Sequence, residues 1–471
     1  MDRLGAHRLR LPSLGVPFRR SRIRKNAALE RPEGAAMISG PLVVLLAVCL
    51  LLLLFMIGVP IFAAFIICNI IGVYWLMGVN GFGLYANSIY ETATTASLAT
   101  VPLFLLIGEI LFRGKAVDVL FDAVDRIVPG VRGRQHYLTI CLATVFGALS
   151  GTAMGVAAML GRAILPGVRE RNLDVRLATG AILAGASLAP IIPPSVLVII
   201  IGTLAGVSIS SLLIAGIVPG LMLALLFAAY IFVRVRVGSM AEAEAVRVVT
   251  DNAISRSRAL LRIAPFSIIF IMILGFILGG VATPSEAAAT GVVGALITTW
   301  IYGGLSWSVV WESLKSAIAV AAMILLIMAA SKMLAQLLAF SGGTAALTSL
   351  VVELGYDRWV MLFLLLAFPF IACMFIDQIA LMLLIIPIYQ PVLQALGFDP
   401  IWFWTLFLIN ITLGGMTPPF GYTIFALKGA ADDLSLSQIF SASWPFVGIF
   451  VLGMIILAVA PQLTTFLPNL M

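Results

Sequence analysis

Residues 137–168 read YLTICLATVFGALSGTAMGVAAMLGRAILPGV, and the way this stretch meets a membrane decides the fold. It is predominantly apolar, and Ser150-Gly151-Thr152 interrupts it near its middle. Arg113, Lys115, Arg126, Arg132 and Arg134 precede it, and Arg169, Arg171 and Arg176 follow it. Loops rich in Lys and Arg stay in the cytoplasm. With both flanks on one side, the segment cannot cross once. It enters and returns as two half-helices, with a polar tip at membrane depth. Irregular backbone at that depth is tolerated only where it is buried in protein or lines a cavity. A single long tilted helix is the alternative.

Composition agrees that a bilayer is the solvent. Of 471 residues, 62% are hydrophobic and 10% charged, with mean hydropathy +1.14, against roughly 25% charged in a soluble domain. The net charge of +7 lies in the first 36 residues and in loops between apolar runs, so it is no nucleic-acid signal. Cys49, Cys68, Cys141 and Cys373 sit in apolar runs without CxxC spacing, which reads as packing rather than disulfide or metal chemistry. The two histidines, His7 and His136, lie in basic polar segments. There is no HExxH, and Ser150 has no embedded histidine to activate it, so the chain does not read as an enzyme.

Working outward, apolar runs at 41–57, 60–78 and about 97–112 precede the hairpin at about 137–168. A helix broken at Pro193-Pro194-Ser195 follows over about 177–201, then a return through about 211–233. A basic cytoplasmic connector spans 237–262. The pattern then recurs. Crossings at 264–280, 285–303 and 317–339 lead to a second hairpin at about 359–390, interrupted by Asp377-Gln378. A second broken helix spans about 402–427, with Thr417-Pro418-Pro419 at its break, before a last span at about 443–461. Each half has five crossings and one hairpin, and five is odd. The expected fold is therefore an all-α polytopic membrane protein of about 10–11 transmembrane helices plus two re-entrant hairpins. It is divided into two inverted repeats, 37–236 and 263–471. Such repeats with paired broken helices are a recurring design of secondary transporters, whose sites lie near the midplane. On this count the basic tail 1–36 falls on the wrong side, so Met37 is expected to be the native start.

Prolines at the breaks remove backbone donors and free the carbonyls before them. Those carbonyls, joined by oxygens from a hairpin tip, suit a small hard cation such as Na⁺. The half-helix N-termini beside them offer N–H groups to an anionic substrate. The first half supplies Ser150, Gly151 and Thr152 beside Pro193, Pro194 and Ser195; the second supplies Asp377 and Gln378 beside Thr417, Pro418 and Pro419. Ser150 and Thr152 could instead bond to carbonyls one turn back, and Asp377 could belong to a structural ion pair. Ser150, Thr152, Ser195, Thr417 and Lys428 are the candidates for substrate contact, although Lys428, like Lys332, can also snorkel. Glu286 in ATPSE sits where a capping box places it, and Glu109 is spaced to pair with Arg113.

At these motifs the chain resembles the large, DctM-like membrane subunit of tripartite ATP-independent periplasmic (TRAP) transporters. The matching stretches are VPLFLLIGEILFRG (101–114), FGALSGTAMGVAAMLG (146–161), APIIPPSVLVIIIG (189–202), GGVATPSEAAATG (279–291) and GFDPIWFWTLFLINITLGGMTPPFGYTIF (397–425). The resemblance implies an elevator-type carrier of the ion-transporter superfamily, in which a transport domain slides against a scaffold domain. It implies the inner membrane of a bacterium, sodium-driven uptake of an organic acid, and no cofactor beyond Na⁺ as the coupling ion. Two partners are implied: a periplasmic, DctP-like substrate-binding protein and a small four-helix, DctQ-like membrane subunit. The 36 residues before the first apolar run are too few to hold that subunit, so it is expected as a separate chain. By the same resemblance the sodium sites fall at Ser150, Gly151, Thr152 and the 193–195 break, and at Asp377, Gln378 and the 417–419 break. The first tip departs from the family pattern by carrying Thr152 and Met154, and Trp402-Phe403-Trp404 departs from it near the second broken helix. An autonomous organic-anion symporter of the same superfamily is the alternative. A channel would need a continuous polar stripe along several helices, which is not seen.

Overall fold

The computed structural model describes residues 40–128, 131–237 and 255–470, and of residues 148–150 the backbone only. The tail 1–36 and most of the connector 237–262 lie outside the described residues. The described chain is helical, with no strand among its residues, as the bilayer demands when every backbone group must be satisfied within its own segment. Among the described residues, six helical stretches are long and apolar enough to cross a membrane: 96–113, 209–237, 256–278, 307–340, 378–396 and 436–459. Seven shorter apolar helices, 10 to 17 residues long, lie among them in the described residues.

The interruptions read from the sequence are present. The first hairpin is two helices, Arg134–Ser150 and Ala153–Glu170, separated by Gly151 and Thr152. The second is Arg358–Cys373 and Gln378–Leu396. The first broken helix is Val175–Ala186 and Val196–Ala205; the second is Pro400–Met416 and Tyr422–Ala430. The first break opens at Ser187, well before the prolines that mark it in the sequence, because 187–195 runs as a series of turns.

Two regions depart from the sequence reading. The basic stretch between Arg113 and Arg134 holds a helix, Ala116–Ile127. Its buried positions Ala116, Leu120, Ala123 and Val124 follow helical spacing, and its charges occupy the other face. Arg134 fixes it to the hairpin by an ion pair to Asp125 at 2.9 Å. Arg256, Arg258 and Arg262 are likewise not loop residues: they form the first turns of the helix Arg256–Leu278, capped by Ser255, whose Oγ accepts the Arg258 N–H.

Packing between the halves is reciprocal. Gly40–Met56 packs on Gly343–Glu353, just before the second hairpin, and Arg256–Leu278 packs on Ala116–Ile127, just before the first. Val196–Ala205 packs on the second hairpin's Gln378–Leu396, while Tyr422–Ala430 packs on the first hairpin's Ala153–Glu170. At the first of these contacts Gly40 is so close that a Cβ would lie 2.7 Å from Gly342 and Gly343 backbone. The longest helix, Trp307–Phe340, lies against Ile61–Met77, Phe82–Thr94 and Thr100–Arg113. Buried polar groups tie it there: Asn69 Nδ2 donates to the Ala330 carbonyl at 2.7 Å, and Ser88 Oγ donates to Gln336 Oε1 at 3.1 Å.

Candidate functional site

At the first tip the chain turns back through Gly151, whose φ of +62° is the left-handed conformation that glycine adopts without strain. Its N–H closes the incoming helix on the Gly147 carbonyl at 2.8 Å. The tip rests on the first break: a Cβ at Gly151 would lie 3.5 Å from the Pro194 carbonyl oxygen and 3.9 Å from the Val196 nitrogen. Gly147 allows the same approach one turn earlier, against Ala189. Thr152 opens the outgoing helix in an extended conformation and is exposed. Ser195 is fully buried and caps Val196–Ala205, its Oγ accepting the Val198 N–H at 3.4 Å.

The second tip is built differently. Asp377 caps the helix Gln378–Leu396, and its Oδ1 accepts the N–H groups of Ile379 and Ala380 at 2.9 and 3.4 Å. The carboxylate thus sits on the positive end of a half-helix. Gln378 is buried, and its Oε1 accepts the Tyr422 phenol hydrogen at 2.5 Å. That bond ties the second tip to the second break. The Tyr422 ring lies over Gly415 so closely that a Cβ there would meet it at 2.0 Å.

Both breaks hold a cis Pro–Pro peptide, Pro193-Pro194 and Pro418-Pro419. In the second, the missing N–H groups of Pro418 and Pro419 would have bonded the Gly414 and Gly415 carbonyls. Those oxygens find other donors: the Thr417 N–H at 3.1 Å for Gly414, and Thr423 Oγ1 at 2.8 Å for Gly415. Thr417 is fully buried and donates its hydroxyl back to the Leu413 carbonyl at 2.7 Å, leaving its oxygen lone pairs to accept or coordinate.

The two tip-and-break pairs are joined across the halves. Ala153–Glu170 and Tyr422–Ala430 run parallel: Gly161 faces Leu427 and Ala430, and Arg169 pairs with Asp433 at 2.5 Å. Their first turns, one from each half, are therefore level with each other. Among the described residues no group of three or more His, Cys, Asp or Glu gathers that could hold a metal ion. The oxygens at the tips and breaks are carbonyls, hydroxyls and one carboxylate, a hard donor set.

The structure places Lys428 away from these donors. It stands on the last turn of Tyr422–Ala430 and gives its ammonium to the Asp432 carbonyl at 2.6 Å. Glu286 forms the capping box read from ATPSE with Thr283, and Glu109 pairs with Arg113 at 2.8 Å. Tyr422, Thr423 and Asn410, which donates to the Leu366 carbonyl at 2.8 Å, were not legible as site-building residues. A polar residue soon after each proline pair was the only available signal for the first two.

Among protein families, the one described as "Tripartite ATP-independent periplasmic transporter, DctM component" matches residues 48–463. The ectoine TRAP transporter large permease protein TeaC of Halomonas elongata is 29% identical over 88% of this chain and 97% of its own. The C4-dicarboxylate TRAP transporter large permease protein DctM of Pseudomonas aeruginosa is 28% identical over 82% of this chain and 89% of its own. In fold, the chain is similar to the Alcanivorax borkumensis YdaH transporter, with a TM-score of 0.58 at 15% identity, covering 89% of this chain and 98% of that one.

Proposed function

Because this chain belongs to the DctM component family of tripartite ATP-independent periplasmic transporters, and is thus a multi-pass inner-membrane permease subunit, we propose that it carries an organic acid inward on a sodium gradient. In this reading the acid is handed over by a periplasmic binding protein, and a small four-helix membrane subunit braces the chain. The observation that carries it is the pairing of each hairpin tip with a proline break: Gly151 against Pro194, and Gln378 bonded to Tyr422. Each pair gathers carbonyl and hydroxyl oxygens at a backbone interruption, as sodium requires. In the first pair the outgoing hairpin helix, which has no side-chain cap bond, also begins with N–H groups that can receive a carboxylate.

Ser150, Gly151, Thr152, Pro193, Pro194 and Ser195 make one cation site in this proposal. Asp377, Gln378, Thr417, Pro418 and Pro419 make the other, with substrate held between them. The reciprocal packing supports two inverted repeats, 37–236 and 263–471, whose hairpins and broken helices move as one body. That body is bounded by the long helix Trp307–Phe340, to which Ser331 Oγ links it by donating to the Leu383 carbonyl at 2.5 Å.

The test is uptake into proteoliposomes holding this chain and its small membrane partner, with binding protein outside. Uptake should follow an inward sodium gradient and collapse without it. Uptake at full rate without sodium would overturn the sodium assignment, and uptake without the binding protein would favour an autonomous symporter.

A further inference from the structure

The two halves are unequal at matched positions of their interruptions. Counting back two residues from the cap of each outgoing hairpin helix gives Ser150 before Thr152 in the first half and Phe375 before Asp377 in the second. Counting one residue on from each cis Pro–Pro pair gives Ser195 in the first half and Phe420 in the second. Where one half places two hydroxyl-bearing residues, the other places two benzene rings. Those rings touch each other, with centroids 5.5 Å apart, and Phe425 stacks on Phe420 at 6.4 Å. Phe375 and Phe420 are nonetheless 59% and 55% exposed. Met154, on the first turn of the parallel hairpin helix, is 48% exposed at the same level.

The lipid tails are a poor account of this exposure. Both rings belong to segments whose backbone is irregular, 374–377 and 417–421, and irregular backbone at membrane depth lines protein or a cavity rather than lipid. We propose that Phe375 and Phe420 form the apolar wall of the substrate site, opposite the exposed Thr152 and the first turn of the first half's outgoing hairpin helix. The cargo is then a carboxylate bearing a ring or an apolar chain, not a small acid polar at both ends. Its carboxylate faces that first turn, whose N–H groups can receive it, and its apolar part lies on the phenylalanine pair, where offset or edge contacts with a ring are favourable. This rests on the carrier reading above and narrows its cargo.

The test uses this chain purified with its small membrane partner, and thermal stability in sodium as the readout. Phenylacetate and hexanoate are the probes with an apolar part, and succinate is the one without. In sodium, the first two should stabilise the complex at concentrations roughly tenfold lower than succinate. Phe420→Ser and Phe375→Ser, which copy the first half's residues, should each erase that preference, while Phe420→Leu should keep the hexanoate response. Succinate acting as well as phenylacetate, no response to any probe, or serine variants that keep the wild-type preference would each overturn the proposal. Stabilisation by sodium alone, measured first in every variant, shows that the variant is folded. Its loss in the wild type would defeat the sodium carrier reading instead.

Discussion

Asp377 holds two jobs that one substitution can separate. Its Oδ1 caps a half-helix by accepting two N–H groups, and in the proposed mechanism its charge attracts sodium. Asparagine caps a helix about as well as aspartate but carries no charge. Asp377→Asn should therefore leave the complex folded and raise the sodium concentration for half-maximal uptake by about tenfold, the equivalent of 1.4 kcal/mol. Unchanged sodium dependence in proteoliposomes would remove Asp377 from the ion site. The carboxylate itself was legible, because a charge inside an apolar run demands a reason. Its donors were not, because they are the backbone of the very turn it begins. Tyr422 was illegible for another reason: its partner Gln378 lies 44 residues earlier, and nothing local links them.

Arg176 and Pro445 show the same logic between elements. Pro445 sits inside the helix Leu436–Val459 and removes the N–H that would have bonded the Ser441 carbonyl. The Arg176 guanidinium fills the gap, giving Nε and Nη2 to that oxygen at 3.2 and 2.9 Å. Arg176→Ala should lower stability by about 1 kcal/mol, seen as a lower melting temperature in detergent. In a Pro445→Ala background, where the helix can close its own bond, the same change should cost much less; an equal cost in both would show that the guanidinium does something else. The capping box at Thr283 acts within one element: Glu286 Oε2 accepts the Thr283 N–H at 2.8 Å, and Thr283 Oγ1 accepts the Glu286 N–H at 3.3 Å. Thr283→Ala should lower stability by about 1 kcal/mol, and an unchanged melting temperature in detergent would refute the cap's contribution. The capping box was legible because four consecutive residues contain it. The helix Ala116–Ile127 was not, because the charges of its solvated face outweighed a narrow apolar stripe.

At the scale of the whole molecule, the proposed mechanism is a body of hairpins and broken helices moving past the long helices. It predicts that position 154 changes sides. A Met154→Cys chain whose four native cysteines are replaced should react with a membrane-impermeant maleimide from opposite faces, depending on sodium and substrate. Labelling from one face under every condition would rule out sliding. The order of the apolar helices and the interruptions between them were legible because each is written in a contiguous stretch. The exchange of partners between halves was not, because no periodicity records which helix of one half meets which of the other.

That exchange bears on how the chain is made. The first hairpin's outgoing helix finds its neighbour in Tyr422–Ala430, and Arg169 finds Asp433, 264 residues later in sequence (433 − 169). At ribosomal rates of about 5–20 residues per second, that partner emerges roughly 13–53 seconds afterwards. Throughout that interval the first tip, already synthesised, has a bare flank in or beside the translocation channel. Insertion factors that shelter half-made hairpins therefore matter more to this protein than to one whose neighbours in sequence are neighbours in space.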